Sequence, residues 1–177
     1  MIVRDLPTAP TSITASNGTV CPGNNVTLTT NGGTLIGLDD WVWYEGGCGA
    51  GASIGNSNSI NVNPTVTTTY FVRAEGVCGN SPCTDVTIVT EDLSVDPVSV
   101  IVSDPSICPG DNTTLSVVGG SLGAAADWEW YSGACGGLAV GSGSTISVNP
   151  SATTDYYVMA EGLCNTTNCV NTTVNIE

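Results

Sequence analysis

The chain has 177 residues, with two Arg, no Lys, no His and 16 acidic residues, so its formal net charge is −14. A surface this acidic repels nucleic-acid phosphates and anionic lipid head groups, and we expect neither as a partner. No apolar run approaches membrane-spanning length, so we expect no membrane insertion. Without His and Lys there is no imidazole base, Schiff-base amine or imidazole metal ligand, which predicts a protein that is not an enzyme.

The first half of the chain alternates short apolar-polar segments with turn signals, a pattern typical of a β-sandwich. Pairs such as Gly32-Gly33 and Gly46-Gly47 end the segments, and no segment has helical periodicity. In chain order, strands are predicted at residues 12–15, 26–30, 41–44, 59–62, 69–74 and 85–89.

The predicted third strand carries two tryptophans. Trp41 and Trp43 are two residues apart and therefore point to the same side of the strand. Val42 between them aligns with Glu129 in the second half of the chain, which marks the opposite face as solvent-exposed. We therefore predict that Trp41 and Trp43, with their copies Trp128 and Trp130, form the core.

The second half of the chain repeats the first. Cys21-Pro22-Gly23 recurs 87 residues later as Cys108-Pro109-Gly110, and Ala74-Glu75-Gly76 recurs 86 residues later, after a one-residue deletion near Ser53. We predict an all-β chain of two tandem immunoglobulin-like sandwiches. The predicted divisions are a linker from a preceding repeat (1–7), repeat 1 (8–92), a linker (93–97) and repeat 2 (98–177). Both ends align with linker positions, so we expect a unit from a longer array; a natural two-domain protein is the alternative.

Eight cysteines at repeated spacings predict disulfides and an oxidising compartment. Zinc is the alternative, but Cys21 and Cys48 do not form a metal knuckle and the chain has no His. Four cysteines allow three pairings in each repeat, with Cys21–Cys83 plus Cys48–Cys78 as the main rival to the pairing that we favour. The favoured pairs, which place each cysteine beside a partner at the same end of the sandwich, are Cys21–Cys48, Cys78–Cys83, Cys108–Cys135 and Cys164–Cys169.

Outward-facing aromatic residues are the candidate binding surface. Tyr44 and Phe71 lie on neighbouring predicted strands and recur as Tyr131 and Tyr157. An aromatic stripe can bind sugars or pack on a neighbouring protomer, while the simpler interpretation is a cross-strand pair.

Acidic residues offer one weak metal site. Glu91, Asp92 and Asp96 lie between the repeats, where carboxylates could bind Ca²⁺, although a solvated acidic linker explains them equally well. No other cofactor is expected. Glu75 and Glu161 are interpreted as residues that close strand ends by hydrogen bonding.

The segments WYEGGCG from Trp43, SINVNP from Ser59 and TTTYFVRAEGVC ending at Cys78 resemble the Ig-like repeats of large Bacteroidota surface proteins. Those repeats occur in long adhesins and filament-like proteins, often exported by the type IX system and associated with gliding motility. The resemblance covers nearly the whole chain and implies an extracellular or cell-surface location.

Three functions remain open at this stage. The chain could be a structural spacer, a carbohydrate-binding adhesin that uses the outward aromatics, or a filament subunit that pairs a strand near its N-terminus with another chain. The expected partners are neighbouring Ig-like repeats of the same or an identical chain and, for the adhesin, surface glycans.

Overall fold

A computed structural model describes residues 5–177, so residues 1–4 of the predicted first linker lie outside the described part. The chain divides into two compact units, one ending at Glu91 and the other beginning at Asp92. The described residues form strands and turns without a helix, which confirms the predicted all-β class. They therefore contain no helix that could cross a bilayer.

Repeat 1 is a sandwich of two sheets. The smaller sheet has the order β1-β3-β6, and the larger has the order β2-β9-β7-β4-β5, with β8 paired to β7. β7 is therefore the central strand of the larger sheet. The strands are β1 (Ser12–Ala15), β2 (Thr19–Val20), β3 (Val26–Asn31), β4 (Asp40–Glu45), β5 (Gly55–Asn56), β6 (Ser59–Val62), β7 (Thr68–Gly76), β8 (Gly79–Asn80) and β9 (Thr84–Thr90).

Repeat 2 has the same plan, with sheets β10-β12-β15 and β11-β17-β16-β13-β14. Its central strand is β16, and a bridge between Glu161 and Thr166 stands where repeat 1 has β8. The strands are β10 (Ser99–Val102), β11 (Ser106–Ile107), β12 (Thr113–Val118), β13 (Asp127–Ser132), β14 (Leu138–Ser142), β15 (Thr145–Val148), β16 (Thr154–Glu161) and β17 (Val170–Ile176).

Each core lies between its two sheets and is built around a tryptophan pair. All four tryptophans are buried, and Trp43 and Trp130 are fully inaccessible to solvent. Each of these two satisfies its indole N–H within its own repeat, since Nε1 lies 2.8 Å from the carbonyl of Ser57 or Gly143. Burying one such side chain contributes about 2–3 kcal/mol, which is a large share of the stability of a small domain.

A glycine at the same place in each repeat makes room for the other tryptophan. Gly33 has a φ of +75°, and a Cβ there would lie 2.7 Å from the Trp41 ring. Gly120 has a φ of +73° and would meet Trp128 at 2.8 Å. Any side chain would therefore be strained by both the backbone and the ring.

Candidate functional site

The outer face of the larger sheet in repeat 1 is covered by a glycine-rich loop, residues 46–54. The loop returns along the sheet, because the backbone N–H of Ile54 donates to the carbonyl of Trp43 at 2.9 Å. A Cβ on Gly49 would lie 2.6 Å from the Arg73 guanidinium. The loop therefore lies over the outer face of β7.

A disulfide ties this loop across β7. Cys48 bonds to Cys83, which immediately precedes β9, with a Cα–Cα distance of 6.0 Å. Since β7 lies between β4 and β9, the bond links the two flanking strands over the central one. We call the loop and its disulfide the outer strap.

Repeat 2 has the same outer strap. Cys135 bonds to Cys169, also with a Cα–Cα distance of 6.0 Å. The Cys135 Sγ lies 4.0 Å from the Met159 Sδ, and Met159 occupies the position that Arg73 has in repeat 1. The strap thus belongs to the repeat plan, while the side chain beneath it differs.

The favoured pairs Cys21–Cys48 and Cys108–Cys135 are wrong because Cys48 and Cys135 are bonded elsewhere. The prediction kept the loop at the end of the sandwich, whereas its glycines let it turn back over the sheet. Gly46, Gly49 and Gly51 all have positive φ, which glycine adopts without strain.

The favoured pairs Cys78–Cys83 and Cys164–Cys169 are wrong for a different reason. After Cys78 the chain runs back along β7, with Gly79 pairing to Gly76 and the Ser81 N–H donating to the Ala74 carbonyl. Five extended residues span about 16 Å, which is far beyond disulfide reach. The rival pairs Cys21–Cys83 and Cys48–Cys78 are excluded by the Cys48–Cys83 bond as well.

The remaining cysteines differ in state. Cys78 and Cys108 are exposed free thiols. Cys21 and Cys164 are disulfide-bonded. Each repeat therefore places one free thiol outside its outer strap.

The predicted aromatic pairs are directly opposite each other in the sheets. Tyr44 is the register partner of Phe71, and Tyr131 is that of Tyr157. However, Tyr44 is only 7% exposed, and the Arg73 guanidinium lies 5.4 Å from its ring centroid. The ring in repeat 1 is therefore covered and does not present an open platform for a sugar.

The tyrosine hydroxyl, the arginine and a glutamate form a charged cluster in repeat 1. Tyr44 donates to the Glu75 carboxylate, and Arg73 Nε donates to the same oxygen at 2.7 Å. The hydrogen bond from Tyr44, assisted by the Arg73 charge, lowers the pKa of Glu75. The same carboxylate raises the pKa of Tyr44 through that hydrogen bond. Glu75 is thus used within the fold.

Repeat 2 keeps the tyrosine–glutamate bond without a cation. Tyr131 donates to Glu161, which raises the pKa of Tyr131 to about 12. Desolvation by burial is the main cause that raises the pKa of Glu129, and repulsion from Asp127 and Glu161 raises it further. The outer face of repeat 2 therefore concentrates uncompensated negative charge.

The residues between the repeats hold the loops of repeat 2. Asp96 accepts hydrogen bonds from the backbone N–H and the side-chain amide of Asn168, and these bonds lower its pKa. The Asn165 amide exchanges two hydrogen bonds with the backbone of Ser94. This role is not apparent in the sequence, because a side-chain amide paired with a residue 71 positions away leaves no local signal.

The weak Ca²⁺ candidates do not gather into a site in the part of the chain that the structure describes. There, no group of three or more carboxylate or thiol side chains is arranged to hold a metal ion. Asp96 already has its oxygens engaged by Asn168.

Comparison with known proteins gives the family and the fold. The family model described as "Ig-like domain CHU_C associated" matches residues 7–91 and 95–177. No protein with a curated description matches the chain. Ig-like and fibronectin-like families are generally not enzymes.

Solved structures are similar in fold at low sequence identity. The three N-terminal domains of the Hoc outer capsid protein of bacteriophage RB49 have a TM-score of 0.53 at 12% identity, covering 93% of this chain and 69% of that one. Murine CEACAM1b has a TM-score of 0.44 at 14% identity, covering 94% and 98%. Fibronectin(III)-like modules of Clostridium thermocellum CbhA have a TM-score of 0.42 at 11% identity, covering 93% and 94%.

Because the family model matches both halves of the chain and each half folds as a two-sheet sandwich, the chain belongs to the CHU_C-associated Ig-like domain family, in two tandem copies.

Proposed function

We propose that the chain is a pair of structural spacer repeats from an extracellular bacterial surface adhesin or filament. The observation that carries this proposal is the outer strap, which recurs in both repeats and ties two strands of the larger sheet together across the central strand. Disulfides of this kind persist in oxidising surroundings, which supports an extracellular location. A cell-surface setting of the Bacteroidota, gliding-motility type is the finer form of the proposal and rests on the sequence resemblance.

The polar and aromatic residues also support a spacer. The predicted platform residue Tyr44 is covered by Arg73 and bonded to Glu75. Asp96 and Asn165 hold loops rather than facing a pocket. Residues that would recognise a ligand are thus used to stiffen the domain, and the expected partners are other Ig-like repeats.

Protease resistance tests the spacer proposal. We expect the oxidised chain to withstand thermolysin at 37 °C and to be cut rapidly once its disulfides, the two straps among them, are reduced, because each strap closes a long loop in the unfolded chain. Fragment mass spectrometry locates the cuts. Cys78→Ser, which removes a free thiol, is the control and should leave the resistance unchanged.

Glycan binding separates the spacer from the adhesin. We expect the wild-type chain to bind no glycan on an array above the level of a denatured control. The variant to test is Tyr131→Ala, because Tyr131 is more exposed than Tyr44. Glycan binding by the wild type that disappears in this variant would replace the spacer proposal with the carbohydrate-binding function.

A further inference from the structure

Each of the two exposed thiols lies at one end of its own sandwich, and the two ends are different. Cys78 is at the end where the chain enters repeat 1, since a Cβ on the next residue, Gly79, would touch Leu6 at 3.4 Å. Cys108 is at the end where the chain leaves repeat 2, since the backbone N–H of Glu177 donates to the Ile107 carbonyl at 3.1 Å. We call these the entry end and the exit end.

Each free thiol has a counterpart cysteine at the same position of the other repeat. Cys78 corresponds to Cys164, and Cys108 corresponds to Cys21. Both counterparts are disulfide-bonded. Each of the two free thiols therefore occupies a position at which the other repeat of this chain forms a disulfide.

An apolar groove lies beside Cys78. The cavity has a volume of about 390 Å³ and is lined by Ile36, Gly37, Leu38, Asp39, Val77 and Cys78. Leu38 and Val77 are 94% and 90% exposed. Large apolar side chains grouped around an open groove favour burial against a partner. The groove therefore adds a docking surface to the thiol.

We propose that the entry end of repeat 1 docks the exit end of repeat 2 from a second copy of this chain, and that Cys78 then bonds to Cys108 of that copy. The second copy is the occupant that the chain itself indicates, because it carries the complementary free thiol at an exposed turn. The contact joins two different surfaces, so it leaves a free end on each side and can continue head to tail. This inference rests on the spacer function and specifies its partner.

The cross-link needs a small-molecule disulfide as oxidant. The Cys78 thiolate attacks that disulfide, which releases one small thiol and leaves a mixed disulfide on Cys78. The Cys108 thiolate of the second copy then attacks the Cys78 sulfur and releases the second small thiol. Two protein thiols and one small disulfide thus become one protein disulfide and two small thiols.

The test uses the full chain in a buffer of oxidised and reduced glutathione. We expect the wild type to form a ladder of oligomers on non-reducing gels, and Cys78→Ser and Cys108→Ser each to remain monomeric. An equal mixture of the two variants should form a single dimer. Peptide mass spectrometry should find Cys108 of the Cys78→Ser chain bonded to Cys78 of the Cys108→Ser chain.

Two results would overturn the proposal. One is that either single variant dimerises as fast as the mixture, since this would show unselective thiol oxidation. The other is that the wild type stays monomeric, whether its thiols remain free or bond within one chain.

The groove has its own test. In the mixture experiment, Leu38→Ser in the Cys108→Ser chain should slow dimer formation by roughly tenfold, because it removes an apolar side chain from the contact. Leu138→Ser makes the same change at a residue that is 72% exposed in repeat 2. It is the matched control and should leave the rate of dimer formation unchanged. Equal rates for both variants would show that the groove takes no part in the contact.

These outcomes are separable from the spacer function. If the cross-link fails while the monomer keeps its protease resistance and binds no glycan, only the head-to-tail bond is wrong. If the protease resistance fails as well, the spacer proposal is wrong.

Discussion

The outer faces of the two repeats carry the same strap over different chemistry. In repeat 1 the strap covers Arg73, which pairs with Glu75 at 2.7 Å and lies over Tyr44. In repeat 2 it covers Met159, and the tyrosine–glutamate bond has no cation near it. Repeat 2 contains no Lys, Arg or His at all.

This difference shows which features the sandwich requires. The tryptophan core, the strap and the tyrosine–glutamate bond occur in both repeats, whereas the charge beneath the strap does not. An arginine and a methionine both fill the space, since each has a long, flexible stem that can pack under a disulfide. We therefore expect the shared features to dominate stability and the charge to adjust it.

The core should give the largest effect, and an equal one in both repeats. Trp43→Ala and Trp130→Ala should each lower the free energy of unfolding of their repeat by about 3–5 kcal/mol. Each change leaves a cavity in a small core and removes the indole hydrogen bond to a backbone carbonyl. Hydrogen exchange with mass spectrometry during urea unfolding reports each repeat separately. A loss in one repeat that is much smaller than in the other would break the equivalence of the two cores.

The straps should come next. Replacing both Cys48 and Cys83 by Ser should cost repeat 1 about 3–4 kcal/mol, and the Cys135/Cys169 double variant should cost repeat 2 about the same, since the bridged separations are 35 and 34 residues. Urea midpoints measured with the same exchange method give the result. A strap that stabilises only one repeat would contradict its assignment to the common plan.

The charged cluster should have a smaller effect, and only in repeat 1. Arg73→Met, which copies repeat 2, should cost roughly 0.5–1 kcal/mol at pH 7, because the ion pair is partly exposed and screened by solvent. Met159→Arg in repeat 2 is the reciprocal variant and should stabilise by a similar amount. If both changes destabilised their repeats, the result would show that the strap selects its residue by shape rather than by charge.

The same variant has a pH signature. The folded-state pKa of Glu75 is lowered, so its stabilisation is present above its unfolded pKa near 4.5 and is lost as the pH falls through the folded value. Arg73→Met should therefore reduce the acid-dependent loss of stability in repeat 1. Urea midpoints between pH 7 and pH 3 measure that loss. A profile identical to that of the wild type would show that Arg73 does not contribute to the acid-dependent loss of stability.

The smallest effect should come from Glu129. Its pKa is raised in the folded state, so its contribution to stability is present below its unfolded pKa and is lost as the pH rises through the folded value. Glu129→Gln should thus stabilise repeat 2 by a few tenths of a kcal/mol at pH 7, and by nothing at pH 3. Val42→Gln at the equivalent place in repeat 1 is the control and should show no pH dependence. Stabilisation that persists at pH 3 would show that packing, not charge, is responsible.

Local patterns in the sequence determined much of this protein. The apolar-polar alternation located the six longer strands of repeat 1, and the spacing of Trp41 and Trp43 located its core. The repeated motifs showed two domains with one plan. These features were predictable because neighbouring residues encode the two faces of a strand, and because aligning the sequence with itself reveals a tandem duplication.

Only the tertiary structure decided the disulfide pairs, the short strands and the state of the aromatic residues. Two-residue strands such as β2, which pairs in parallel with β9, are too short to show alternation. The path of the glycine-rich loop over β7 depends on the sheet beneath it, and that path brings Cys48 to Cys83. The pairing of β4 with β7 brings Arg73 over Tyr44. Contacts of this kind join residues that are far apart in sequence, so no local pattern encodes them.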